Sequence, residues 1–128
     1  MFSHIMIGAD DIQQSQAFYD AILGALEIPP AINDDRGRAV YASQNPPLVI
    51  STPINGQSAT GANGGTIGFV ANDMAAVDAW YEAGIANGGR ACEDPPGGRI
   101  GNGGRKYYAA YLRDPSGNKI CGIHRPKD

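Results

Sequence analysis

Two histidines, two cysteines and six tyrosines carry most of the chemistry open to this chain. The imidazole of His4, with an ordinary pKa near ~6.5, suits general acid or base work without much tuning. Its plain alternative is a hydrogen-bonded polar side chain. Cys121 would act as a nucleophile only where a neighbouring cation stabilises its thiolate. No such partner is evident in the sequence except His4, so Cys121 reads first as an inert buried thiol. Tyr41, Tyr107, Tyr108 and Tyr111 offer rings that could stack on a ligand or pack a core. Arg99, with Arg105, Lys106 and Arg113 nearby in sequence, could draw a carboxylate-bearing ligand or form a solvated set of loop charges. The surrounding GGRIGNGG segment lacks the Gly-Lys-Ser/Thr ending of a phosphate-binding loop and opens no helix. It reads as a flexible loop that could fold over a pocket mouth.

The chain that must position these groups has 128 residues, the length of one domain. A net charge of −3 and a pI near 5.2 argue against a nucleic-acid or acidic-membrane binder, which would carry a basic patch. No apolar run approaches the ~20 residues of a membrane helix. The start shows no basic leader with an apolar core, so the expected location is cytoplasmic. Cys92 and Cys121 are then expected as reduced thiols.

The sequence repeats itself. Residues 5–21 read IMIGADDIQQSQAFYDA and residues 67–83 read IGFVANDMAAVDAWYEA. Ile5 meets Ile67, Asp11 meets Asp73, Phe18 meets Trp80 and Tyr19 meets Tyr81. Two copies are too few for a solenoid and indicate paired modules within one domain. Residues 3–9 and 66–71 alternate as half-buried strands. Asp11 and Asp73 suit helix N-caps, Asp11 with Gln14 in a capping-box pattern. Phe18, Ile22 and Leu26 form one helical stripe; Val77, Trp80, Tyr81 and Ile85 form the other. Pro29-Pro30 and Gly88-Gly89 stop the helices. Strands are expected at 38–43, 48–52, 107–113 and 118–123, with a weak one at 90–93, and 53–65 is the connector. At the module ends Tyr41 falls on Tyr111, Ile50 on Ile120 and Ser51 on Cys121. The expectation is an α+β domain over residues 1–128: two pseudo-symmetric βαβββ modules, about 1–60 and 64–128, forming a cupped mixed sheet with helices outside.

The opening His4-Ile5-Met6-Ile7, Asp11-Ile12, Ser15, Phe18-Tyr19, together with the turn Asp114-Pro115-Ser116-Gly117-Asn118 before the last strand, resembles the vicinal oxygen chelate superfamily. That superfamily holds glyoxalase I, bleomycin-resistance proteins and extradiol dioxygenases. The resemblance covers nearly the whole chain. It implies a cup with a divalent metal at its base, held by one residue from the first and one from the last strand of each module. Here those positions fall on His4, Ser51, Thr66 and Cys121. Only His4 is a conventional ligand, and His4 with Cys121 falls short of the three protein ligands normal in catalytic zinc sites. His124 lies on the opposite face from Cys121 by strand parity. No metal or other cofactor is therefore expected. The cup face adds Met6 beside His4 and Val49 beside Ser51, so its walls are apolar with a few polar groups. The ligand-binding set is His4, Met6, Val49, Ser51, Thr66, Arg99, Tyr107, Tyr111 and Cys121, with His4 as the candidate catalytic residue. The resemblance also implies a homodimer. The expected function is small-organic-molecule binding. The alternative is a metal-dependent glyoxalase-type lyase or isomerase, or a dioxygenase, acting on a small oxygenated substrate.

Overall fold

The computed structural model describes residues 1–127. Chain order is β1 (Ile5–Gly8), α1 (Ile12–Gly24), β2 (Ile32–Asn33), β3 (Ala39–Tyr41) and β4 (Leu48–Ser51), then β5 (Ile67–Val70), α2 (Met74–Ala86), β6 (Arg90–Ala91), β7 (Gly97–Ile100), β8 (Lys106–Arg113) and β9 (Lys119–His124). The fold is α+β, with one mixed sheet ordered β1-β4-β3-β2 and another ordered β5-β9-β8-β6, in which β7 also pairs with β8. Each module opens with a strand lying parallel to its own last strand, β1 on β4 and β5 on β9.

The helices start where their caps dictate. The Asp11 carboxylate accepts the N–H of Gln14, and that of Asp73 accepts the N–H of Ala76, each satisfying a donor that the first helical turn leaves free. The far end of α2 closes through the Gly89 N–H to the Gly84 carbonyl. Gly88 takes the positive φ that this closure requires. Helix α1 buries Phe18, Tyr19, Ile22 and Leu23, and α2 buries Val77, Trp80 and Gly84. The helices meet at Gly84, where a Cβ would overlap Leu112 and crowd Ile22 and Phe18.

One buried cluster joins both helices to one face of each sheet, with Ile50, Leu112 and Ile120 fully enclosed. Strand alternation leaves the other face of each sheet open. Met6 on β1 and Val70 on β5 stay exposed there.

Two details depart from the sequence expectation. The short strand β2 was not legible, because two residues carry no periodicity. The glycine-rich segment is not a free loop. Its first half is β7, paired with β8 from Gly97–Ala109 to Ile100–Lys106.

Candidate functional site

The parallel registers decide which residues share a site. In module two, Gly68 lies beside Cys121. The repeat, anchored at the two N-caps, equates Gly68 with Met6, and Met6 lies beside Val49. Val49, not Ser51, is thus the module-one counterpart of Cys121. Ser51 lies beside Gly8, one pleat repeat further along. A slip of two residues preserves the face, so face parity could not have exposed it. The corrected set is His4, Val49, Thr66 and Cys121: one imidazole, no donor, one hydroxyl and one thiol.

Each of these has settled surroundings. His4 is exposed just ahead of β1, with its Nδ1 2.6 Å from the Ser3 hydroxyl. Thr66 is exposed just ahead of β5. Cys121 is buried and lies opposite Tyr111 on the neighbouring strand. Burial pushes the Cys121 thiol up, and Glu93 adds to this; Tyr111, Arg125 and Arg99 oppose it without reversing it. The thiol stays protonated at neutral pH and is a poor nucleophile and a poor ligand. His124 lies on the other face, its Nδ1 3.1 Å from the Ala71 carbonyl.

This donor set does not fit a divalent ion. Zinc wants thiolate, imidazole or carboxylate from at least three residues, and harder metals want carboxylates. Among the described residues no three His, Cys, Asp or Glu side chains are grouped to hold a metal.

The remaining candidates divide between two places. Tyr111 faces Cys121, and Lys119 lies 5.2 Å from the Tyr111 ring centre and pairs with Glu93. Burial, then the Cys121 sulfur, raises the Tyr111 phenol to about 12. Arg99 lies opposite Tyr107 on this same face. Its Nη2, however, donates to the backbone carbonyls of Asp94 and Pro95, so it braces the turn into β7. Tyr108 points the other way and donates to Asp78. Tyr41 is not the counterpart of Tyr111. It lies opposite Leu48 in the core and donates to Asp20 at 2.8 Å, whereas Val40 faces Val49 as Tyr111 faces Cys121.

The second place is a cleft of about 790 Å³ over the open face of module one. It brings together Met6 and Ser51 of the sequence-derived set. Its other walls are Ile7, Gly8, Arg36, Arg38, Asn118 and the connector, none of which had been singled out as a ligand-binding residue. The connector is an ordered wall. The Ala59 N–H donates to the Asp10 carboxylate at 2.7 Å, and the Asp10 N–H donates to the Ser116 hydroxyl at 3.0 Å. Gly61, at positive φ, lies so close to the Gly117 carbonyl that a Cβ would sit 2.5 Å from its oxygen. A cleft of this volume is the size that takes a drug-sized molecule.

Residues 1–121 match the profile of the Glyoxalase/Bleomycin resistance protein/Dioxygenase superfamily. The chain belongs to this superfamily. It is 54% identical to a glyoxalase/bleomycin resistance protein from Albidiferax ferrireducens T118, whose crystal structure it matches with a TM-score of 0.91 over 98% of this chain and 99% of that one. A glyoxalase-related enzyme from Fulvimarina pelagi shares the superfamily fold at 18% identity and a TM-score of 0.74, over 98% and 88% of the two chains. A lactoylglutathione lyase from Agrobacterium tumefaciens does so at 23% identity and a TM-score of 0.64, over 97% and 92%. No curated protein matches the sequence significantly. No helix of the described residues is long and apolar enough to cross a membrane.

Proposed function

We propose that this protein binds a small organic molecule in the cup of its glyoxalase/bleomycin-resistance fold and does so without a metal. The observation that carries the reading is the donor set: His4, Val49, Thr66 and Cys121 offer one conventional ligand where catalysis through a metal needs about three. The module-one cleft supports it with a volume and a mixed apolar and polar lining suited to a small ligand. No step of chemistry through a metal is derived, and His4, with its exposed ring against Ser3, is not among the residues that line the cleft.

The proposed state is a cytoplasmic homodimer. The homodimer is supported by the exposure of Val70, at 77%, on strand β5 at the edge of its sheet. Apolar edge strands of this kind invite a partner. Thermal unfolding of the metal-stripped protein across a metabolite library tests the binding claim. Stabilisation by several degrees with a saturable dose dependence is expected. A library in which every stabilising compound acts only after a divalent metal is added would overturn it.

A further inference from the structure

We infer that the module-one cleft selects organic anions with an apolar body, and that Arg38 is the anchor for the charge. This rests on the small-molecule reading above and adds the ligand's chemical class.

The first observation is the charge on the walls. Arg36 and Arg38 are the charged residues lining the cleft, and no carboxylate side chain joins them, although the chain as a whole carries −3. The second is how Arg38 is held. Its Nε donates to Asp34 Oδ2 at 2.6 Å. Asp34 Oδ1 meanwhile accepts the backbone N–H groups of Arg36 and Arg38, both at 3.0 Å. Partial burial opposes ionisation of Asp34, but the Arg38 side chain and the two backbone N–H groups outweigh it and hold the carboxyl below its usual range.

Asp34 therefore fixes the guanidinium through Nε alone. Among the described residues, the side-chain hydrogen bond of Arg38 is made by Nε, and none is made by the end-on pair, Nη1 and Nη2. A planar fork with two parallel N–H donors is the geometry that takes a carboxylate in bidentate fashion. Arg38 follows directly on the Ala39–Ile50 pair, which places it across from Ser51 and hence in one row with Gly8. Exposed Met6 and Ile54, with Pro53, supply the apolar surface beside that row. A fixed cation at one end and apolar wall at the other suit a ligand built the same way.

Octanoate, octylammonium and octanol serve as probes of one length and three charges, titrated by calorimetry with amide chemical shifts as a second readout. Octanoate is expected to bind and to shift Gly8, Ser51 and connector amides, with octanol at least roughly tenfold weaker and octylammonium weaker still. Arg38→Met should weaken octanoate by roughly tenfold or more and leave octanol unchanged. Arg38→Lys, which keeps the charge but not the fork, should fall between. Asp34→Asn should weaken octanoate several-fold by releasing the fork. Octanol binding as tightly as octanoate, indifference to both Arg38 variants, or no octanoate binding at millimolar concentration would each overturn the inference. Neutral or cationic hits from the metabolite library would then leave the small-molecule reading standing without it.

Discussion

Gly122 in β9 occupies a place where the face of Trp80 takes the room of a side chain. A Cβ added there would lie 2.8 Å from both Cδ2 and Cε3 of the indole and 3.3 Å from Cε2. Carbon atoms rest at about 3.5 Å or more, so the ring would have to recede by roughly 0.7 Å or more. It has nowhere to go: Trp80 is fully buried and packs beside Phe69 at 6.4 Å between ring centres. Overpacking of this kind costs about 1–3 kcal/mol. Restricting the unfolded chain by replacing glycine with alanine returns about 0.4–1 kcal/mol. The cost wins, and Gly122→Ala should lose about 1–2 kcal/mol, which lowers Tm by about 3–8 °C in a domain of this size. Trp80 is the chain's one tryptophan, so its emission reports on the site itself. Urea unfolding followed by emission and by far-UV circular dichroism should show one coincident transition with a lower midpoint and an unchanged m-value. Gly68→Ala is the control: in the neighbouring strand β5 it meets nothing within 4 Å and should stay within about 0.5 kcal/mol of the parent. A Gly122→Ala protein as stable as the parent would refute the packing argument.

Asp114 is buried and accepts the Tyr19 hydroxyl at 2.6 Å, the N–H groups of Ser116 and Asn118, and the Asn118 side-chain amide. Asp114→Ala strands all of these donors and should cost about 2–4 kcal/mol in urea unfolding; a loss under about 1 kcal/mol would show the network to be dispensable. At alkaline pH the unfolded chain releases tyrosine protons near ~10, while folded Tyr111 keeps its own to about 12. The unfolded state then binds fewer protons, so this contribution is complete below pH 10 and is lost as pH rises through 12. Urea midpoints should fall across that window, and Tyr111→Phe should flatten the fall; an unchanged slope would contradict the assignment. Cys92 and Cys121 flank Tyr111 across three strands, roughly 10 Å apart and beyond the ~7 Å reach of a disulfide. Ellman's reagent should titrate half-buried Cys92 first and Cys121 only on unfolding; rapid reaction of both, or a stability change on reduction, would count against this.

The repeat made the architecture readable because Asp11 and Asp73 fix two helix starts, and matching strands lie at matching distances from them. The open faces were readable by parity, which placed Met6 and Val49 together and sent His124 away from Cys121. Registers within a face were not. A slip of two residues returns every side chain to the same face, so Ser51 took the place that belongs to Val49. The match of Tyr41 with Tyr111 was off by one residue, which does change the face: Tyr41 lies in the core opposite Leu48, and Val40 takes the place opposite Val49. Strand β7 was hidden by its glycines, which lack side-chain periodicity and pair by backbone alone. Arg38 escaped notice for a different reason. Its standing depends on Asp34 closing a turn back onto it, and nothing in a turn of aspartates, arginines and a glycine separates a held guanidinium from a solvated one.

The proposed function holds that His4, Val49, Thr66 and Cys121 do not make up a ligand set for a divalent metal. Elemental analysis of protein purified without chelator, with and without equilibration against Zn²⁺, Ni²⁺, Mn²⁺ and Fe²⁺, tests that most directly. The expected result is well under one equivalent of any divalent metal, with no change in Tm on metal addition and none in a His4→Ala variant. One tightly held equivalent that raises Tm and is lost in His4→Ala would contradict it.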